Sequence, residues 1–141
     1  EKATAEIIDE NGWMHTGDLG IMDKDKNIFI KGRSKSMLLG PSGKNIFPEE
    51  IEAVYNNMDY IAESLVISED NKLVVLIYPD LEAVKNENLS EEQLLDIFEA
   101  TRKSVNERLP DFMAVSKFKI NREEFAKTPK RSIRRFLYTK E

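Results

Sequence analysis

The apolar run 73–78 (LVVLIY) limits the possible folds of this 141-residue chain more than any other stretch. Its residues are apolar on both faces of a strand, which is typical of a central strand that is covered from both sides. A second β-rich run, 61–68, precedes it, and the polar residues 69–71 between the two runs predict a hairpin. We therefore expect a small sheet with the run 73–78 at its centre and helices packed against it.

Two segments carry the signals of such helices. Pro48 stands at a favoured first helical position, and acidic residues follow it in the turn where the helix dipole favours negative charge. Ser90 and Gln93 have the spacing of a capping box, which predicts a second helix up to about Leu109. The expected buried faces comprise Ile51, Val54, Tyr55 and Met58 in the first helix, and Leu94, Ile97, Phe98, Thr101 and Val105 in the second.

The remaining elements are short. Residues 2–9 are rich in helix formers and predict a helix, and the runs 19–22 and 27–31 predict a hairpin. An edge strand is expected at 115–120 and a short basic helix at 132–138. The pattern as a whole predicts an α+β fold, with a hairpin plus a three-stranded mixed sheet packed with helices.

Composition excludes several classes of protein. Hydrophobic residues make up 40% of the chain and charged residues 33%, which is typical of a globular protein with a strongly solvated surface. The chain has no cysteine and one histidine, His15, so a disulfide scaffold, a thiol nucleophile, a histidine-rich metal site and a self-contained Ser-His-Asp triad are not expected. No apolar run approaches the roughly 20 residues that span a bilayer, and no signal peptide opens the chain, so we expect a cytoplasmic protein.

The charge is unevenly distributed. The net charge is −5, but residues 117–141 contain nine Lys or Arg and three Glu, a net charge of +6, so residues 1–116 carry −11. A basic tail on an acidic body suits an anionic partner such as nucleic acid, a phosphate ligand or a membrane surface. A solvated terminal helix with a mixed face would explain the same composition.

Three local groups of residues could carry chemistry. Asp18 lies between glycines just before a predicted strand, where its carboxylate could accept the hydroxyls of a ribose or could bond only its own backbone. Arg33 follows Gly32 at the end of the next strand, where it could bind a phosphate or be a solvated cation. The basic stretch 127–135 (KTPKRSIRR) is either a ligand-binding loop or a charged surface.

Together these groups resemble a known family. The segments GWMHTGDLGIMDKDKNIFIKGRSK, GKNIFPEEIE and KTPKRSIRRFLY, in this order, are similar to the C-terminal part of the adenylate-forming enzymes, which include acyl-CoA synthetases, luciferases and peptide-synthetase adenylation domains. The second and third segments look most like long-chain fatty-acid–CoA ligases. The resemblance covers nearly the whole chain. Since the chain begins at Glu1, we expect a piece of a longer enzyme.

The resemblance implies a division of the chain and roles for three residues. Residues 1–34 would be the end of a large N-terminal AMP-binding domain, and residues 35–141 a C-terminal lid. Asp18 would bind the ribose hydroxyls of the nucleotide, and Arg33 would also contact it. Lys35 would be the hinge about which the lid rotates between two half-reactions.

Two further sites are implied in the lid. Gly43 and Lys44 would lie in the loop that faces the coenzyme A side of the active site. The family's catalytic lysine falls at Ser132, whose neutral hydroxyl cannot supply an ammonium group. Either Lys130 or Arg131 would substitute for it through a shift of the loop, or adenylation is impaired, or the residue at position 132 has been altered from the natural one.

The implied reaction joins a fatty acid to coenzyme A through an acyl-adenylate, with release of pyrophosphate and then AMP. The complete enzyme would use ATP, Mg2+ and coenzyme A, and none of them is expected to bind tightly to this fragment. The fragment alone is expected to be inactive. The partners would be the N-terminal domain and small-molecule substrates, not nucleic acid. Peripheral membrane association and self-association through residues 1–34 are further expectations.

Two alternatives remain open from the residues. The first is an adenylate-forming enzyme for another carboxylic acid, because the lid would not contact the acyl chain. The second, from a different class, is a basic-helix module that binds nucleic acid or an anionic membrane.

Overall fold

The computed structural model describes residues 2–139. Within them the helices are α1 (Lys2–Ala5), α2 (Pro48–Tyr55), α3 (Leu81–Asn86) and α4 (Glu91–Arg108), and the strands are β1 (Asp18–Met22), β2 (Ile28–Arg33), β3 (Leu38–Leu39), β4 (Asn45–Ile46), β5 (Ile61–Glu69), β6 (Lys72–Pro79) and β7 (Val115–Ile120). The predicted α+β class is confirmed, with a β1–β2 hairpin and a three-stranded mixed sheet. A small β3–β4 hairpin and helix α3 are additional to the predicted elements.

β6 is the central strand of the mixed sheet, as predicted. It pairs antiparallel with β5 and parallel with β7, which is the predicted edge strand. Asp70 and Asn71 form the turn from β5 to β6 and have φ values of 50° and 58°. Asp and Asn tolerate this left-handed conformation better than most residues, so a polar pair here closes a tight hairpin.

The side chains of β6 alternate between two cores. Leu73, Val75 and Ile77 pack in a cluster with α2 and α4, and Val74 packs with Phe125 on the other face of the sheet. The buried members of the predicted helix faces are Ile51, Tyr55, Leu94, Phe98, Thr101 and Val105. The central strand is apolar on both faces because helices cover one face and the C-terminal tail covers the other.

The β1–β2 hairpin rests on the first turn of α2. A Cβ atom at Gly32 would lie 3.1 Å from Glu49 Oε2 and 3.1 Å from the Phe47 ring, so only glycine allows this approach without displacement. Lys31 Nζ lies 3.3 Å from Glu50 Oε1. The exposed apolar side chains of the hairpin are Ile21, Met22, Ile28, Phe29 and Ile30.

The predicted helix 2–9 is wrong beyond Ala5. The Asp9 carboxylate accepts the backbone N–H groups of Asn11 and Trp13 at 2.9 and 3.0 Å. The Asp9 N–H donates to the Trp13 carbonyl at 2.9 Å. Asp9 therefore closes a tight turn, and its own N–H is not available to a helix that continues from Ala5.

The predicted basic helix 132–138 is also wrong, because only Arg135–Leu137 form a single turn of 3-10 helix. The Arg134 N–H donates to the Ala126 carbonyl at 2.8 Å, across a hairpin. An N–H used in this way cannot bond to the carbonyl four residues earlier. No helix within residues 2–139 is both long enough and apolar enough to cross a bilayer.

Candidate functional site

Strand pairing brings Asp18 and Arg33 together. They face each other across the β1–β2 hairpin, and Arg33 Nη1 donates to Asp18 Oδ1 at 2.7 Å and to the Thr16 carbonyl at 3.2 Å. The hydrogen bond from Arg33 lowers the pKa of the Asp18 carboxyl group and so favours its ionised form. The side chains of Asp18 and Arg33 are 34% and 63% exposed, which leaves the pair accessible to a ligand.

The loop before Asp18 is tied to the end of β2. Gly17 has a φ of 76°, which suits glycine, and its carbonyl accepts the Ser34 N–H at 2.8 Å. Lys35 is exposed in the 3-10 turn Ser34–Ser36 that follows directly. The predicted hinge residue therefore lies at the junction between the hairpin and the rest of the protein.

Gly43 and Lys44 lie in the loop between β3 and β4. Gly43 has a φ of 71°, and its N–H donates to the Gly40 carbonyl at 2.9 Å. The ammonium of Lys44 lies 4.6 Å from the centroid of the Phe112 ring, a cation–π contact. An open cleft of about 420 Å³ lies beside this loop, lined by Pro41, Ser42, Leu73, Asp111, Phe112 and Ser116, among others. A ligand that enters this cleft would meet the loop.

Lys130 and Ser132 lie on an exposed hairpin turn in the tail. The Thr128 N–H donates to the Ser132 carbonyl at 2.8 Å, and the Arg131 N–H donates to the Thr128 carbonyl at 2.8 Å. Within residues 2–139, the side chains of Lys130 and Ser132 have no hydrogen bond or ion pair, and neither is joined to the Asp18–Arg33 pair. The structure thus keeps the two predicted groups separate.

Lys127 has a different environment from these exposed residues. Its ammonium lies 2.6 Å from Glu63 Oε1 and also contacts Glu124, and its side chain is 22% exposed. The hydrogen bonds to Glu124 and then Glu63 raise the pKa of Lys127. Lys127 is thus a structural anchor at the start of the tail turn rather than a free cation.

An ion pair between α2 and the tail was missed by sequence reasoning. Arg135 donates from Nη1 and Nη2 to the two carboxylate oxygens of Glu52 at 2.7 and 2.5 Å. Glu52 Oε1 also accepts the Val66 N–H at 2.8 Å, and the Glu52 side chain is 10% exposed. The partners are 83 residues apart, so no local spacing could have indicated the pair.

Among residues 2–139, four turns are built in the same way. In each, two hydrogen bonds close a five-residue loop whose fourth residue has positive φ. The loops are 9–13, 23–27, 40–44 and 128–132, and their fourth residues are Gly12, Lys26, Gly43 and Arg131. This geometry, a type I turn followed by a left-handed residue, is common in three-residue hairpin loops.

A metal centre has no support within residues 2–139, where no group of three or more His, Cys, Asp or Glu could hold an ion. The Asp18–Arg33 pair, with an ionised carboxylate and an accessible guanidinium, instead has the donors and acceptors that a ribose or phosphate requires.

Comparison with known proteins gives one family. The model of the AMP-binding enzyme C-terminal domain matches residues 36–141. The chain is 35% identical over 78 residues to the long-chain-fatty-acid–CoA ligase ACSBG2 of Rattus norvegicus, covering 55% of this chain and 12% of that protein. It is 37% identical over 78 residues to the long-chain-fatty-acid–CoA ligase ACSBG1 of Homo sapiens, covering 55% of this chain and 11% of that protein.

The fold has a solved counterpart. The adenylation domain of a carboxylate reductase from Mycobacterium chelonae superposes with a TM-score of 0.84 at 19% identity, over 97% of this chain and 23% of that chain. At this identity the likeness concerns the fold alone, which is that of an adenylate-forming enzyme. The family model matches most of the sequence, and the chain belongs to the AMP-binding enzyme C-terminal domain family.

Proposed function

We propose that this chain is part of a cytoplasmic acid–thiol ligase that converts a long-chain fatty acid, ATP and coenzyme A into acyl-CoA, AMP and pyrophosphate. The observation that carries the proposal is the accessible Asp18–Arg33 pair, in which Arg33 Nη1 lies 2.7 Å from Asp18 Oδ1. The names of the rat and human relatives support a long-chain acyl substrate, although this chain spans 12% and 11% of their lengths. The rest of the active site would belong to a preceding N-terminal domain.

In this proposal Asp18 accepts the hydroxyl groups of the nucleotide ribose. Arg33 orients the carboxylate, and its exposed guanidinium adds positive charge for the nucleotide. Lys35 precedes residue 36, where the family model begins, so a rotation about Lys35 would move the lid relative to the hairpin. Such a rotation lets one pocket serve both half-reactions.

The chain's own residues do not fit Mg2+, since no acidic cluster suitable for an ion lies within residues 2–139. Any Mg2+ that accompanies ATP would therefore be held by other parts of the complete enzyme. Coenzyme A would approach the loop that contains Gly43 and Lys44, beside the cleft lined by Phe112.

The test uses the complete enzyme that carries this chain. We expect Arg33→Ala to lower the rate of acyl-adenylate formation from a long-chain fatty acid about tenfold or more, because a charge-assisted hydrogen bond contributes about 1.5–3 kcal/mol. The matched control is Arg122→Ala, which removes an arginine from an exposed ion pair with Glu91. The readout is pyrophosphate exchange, measured with acids of different chain length.

Two outcomes would contradict the proposal. Equal loss in the Arg33→Ala and Arg122→Ala variants would remove the special role of the Asp18–Arg33 pair. Preference for an aromatic acid or an amino acid would leave the family assignment intact but reject the long-chain substrate. The isolated 141-residue chain is expected to form no acyl-CoA.

A second experiment concerns Ser132. We expect Ser132→Lys in the complete enzyme to speed acyl-adenylate formation about tenfold or more, because an ammonium group at this position would stabilise negative charge in the transition state. The side chain is exposed and unbonded, so the change should not disturb the turn. The rate of thioester formation from supplied acyl-adenylate should not change.

Lys130→Gln provides the matched comparison. If Lys130 substitutes for the family lysine, its loss lowers adenylation in the natural enzyme and has less effect in a chain that also carries Ser132→Lys. Equal adenylation rates with serine and lysine at position 132 would show that Ser132 is no defect.

A further inference from the structure

One ion pair joins the two parts of the chain on either side of the predicted hinge residue, Lys35. The ammonium of Lys31, in β2, lies 3.3 Å from Glu50 Oε1, in the first turn of α2. Among residues 2–139, no other ion pair and no hydrogen bond links residues 2–34 to residues 36–139. The polar connection across the hinge therefore consists of a single pair of side chains.

Beside this pair, the backbone of the hairpin approaches α2 closely. A Cβ atom at Gly32 would lie 3.1 Å from the Phe47 ring and 3.1 Å from Glu49 Oε2. Any larger side chain at position 32 would hold the hairpin and α2 apart. We call Lys31, Gly32, Phe47, Glu49 and Glu50 the cross-hinge contact.

Two features make the cross-hinge contact weak. The side chains of Lys31 and Glu50 are 38% and 37% exposed, and ion pairs that remain in contact with water contribute little to stability. Glu49 Oε2 is buried and accepts no hydrogen bond from a described residue, which costs free energy that separation from Gly32 would recover. The contact can therefore be broken and formed again at low cost.

The cross-hinge contact lies away from Lys35 itself. A strand rises about 3.3 Å per residue, so the backbone of Lys31 lies about 10 Å from the turn that begins at Ser34. A large rotation about Lys35 would move Glu50 away from Lys31 and α2 away from Gly32. The contact thus fits only one of the two positions of the lid that the proposed reaction requires.

We propose that Lys31 and Glu50 are positioning residues that set how often the lid occupies the position described here, and thereby the balance between the two half-reactions. The inference rests on the proposed function, since it needs a lid that serves both half-reactions. Neither residue has to touch a substrate, because each acts through the position of the lid. A weak pair suits this role, since it biases the two positions without removing either.

The test reverses each charge in the complete enzyme that carries this chain. Pyrophosphate exchange measures adenylation, and supplied acyl-adenylate measures thioester formation. Lys31→Glu and Glu50→Lys should each change the ratio of the two rates by about three- to tenfold. An exposed ion pair contributes up to about fivefold to an equilibrium, and a like-charge pair opposes it similarly. The half-reaction that uses the described position slows, and the other does not.

The double variant Lys31→Glu/Glu50→Lys forms the ion pair again with its charges exchanged, so the ratio should return most of the way to its original value. Two matched controls make the same charge changes at exposed residues. Lys24→Glu lies in the turn of the hairpin, and Glu92→Lys lies in the first turn of α4, as Glu50 does in α2. Neither control should change the ratio.

A second measurement uses the 141-residue chain alone. Because the chain has no cysteine, spin labels can be attached at Asp25→Cys in the hairpin and Lys103→Cys in α4, both exposed positions. Double electron–electron resonance then reports the distance between the two parts. We expect one narrow distribution, which Gly32→Val broadens because valine does not fit against Phe47. Glu92→Lys should leave the distribution unchanged, and circular dichroism would establish that each variant is folded.

Three results would overturn the proposal. They are an unchanged ratio in both charge reversals, an equal slowing of both half-reactions that the double variant does not restore, and a narrow distance distribution in Gly32→Val. A complete enzyme that forms no acyl-adenylate from any carboxylic acid would instead reject the proposed function. In that case the distance measurement would still decide whether the cross-hinge contact fixes the hairpin on α2.

Discussion

Phe98→Ala is expected to lower the free energy of unfolding by about 3–5 kcal/mol, which is the usual cost of removing a buried aromatic side chain. Phe98 is completely buried in α4 and packs edge-on against Phe118 of β7, with 5.9 Å between ring centroids. The ring fills the space between the long helix and the edge strand. Its loss leaves a cavity there and weakens the attachment of β7. The measurement is urea unfolding followed by circular dichroism.

Leu95→Ala is the matched control for this change. Leu95 lies on the same helix three residues earlier and is 43% exposed. Removal of its side chain leaves no closed cavity, so we expect the free energy of unfolding to fall by less than about 1 kcal/mol. A similar loss for both variants would mean that α4 does not pack on the sheet through Phe98. Since small domains are stable by only about 5–15 kcal/mol, the loss expected for Phe98→Ala is a large fraction of the total free energy of unfolding.

Arg135→Met is expected to cost about 3 kcal/mol of folding stability, because it leaves the Glu52 carboxylate buried without a counter-charge. Methionine retains much of the arginine side-chain volume, so the effect is mainly electrostatic. Glu52 is 10% exposed and would keep only the Val66 N–H as a partner. Chemical denaturation of the chain at neutral pH measures the change.

Two comparisons distinguish a buried charge from a general loss of packing. Arg122→Met breaks the Arg122–Glu91 pair, which has the short N–O distance of 2.6 Å but side chains that are 80% and 67% exposed. The free energy of unfolding of that variant should fall by less than about 1 kcal/mol. Adding Glu52→Gln to Arg135→Met should restore part of the stability, because a neutral amide costs less to bury. No restoration would contradict the electrostatic explanation.

The elements that could be predicted from the sequence are those that local physics determines. The run 73–78 is a central strand because both of its faces are apolar, so neither could be left in contact with solvent. Ser90 and Gln93 form a capping box, which requires only that the two residues are three positions apart in the sequence. The buried face of α4 follows from the same local periodicity.

The failures have long-range or backbone causes. A short basic helix was predicted at 132–138, but pairing across the 128–132 turn uses the backbone groups that a helix needs. Asp18 and Arg33 were each recognised as candidate residues, yet their contact depends on the register of the hairpin. The Glu52–Arg135 pair depends on how the tail is packed and has no sequence signal.

The parallel pairing of β6 with β7 has a consequence for biosynthesis. β5 and β6 are joined by a two-residue turn and can pair as soon as both leave the ribosome, whereas β7 follows only after residues 80–114. Until then one edge of the most apolar strand has no neighbour, and such an edge is a template for intermolecular association. The nascent chain is therefore most vulnerable to aggregation while α3 and α4 are being made, and a chaperone would be most effective in that interval.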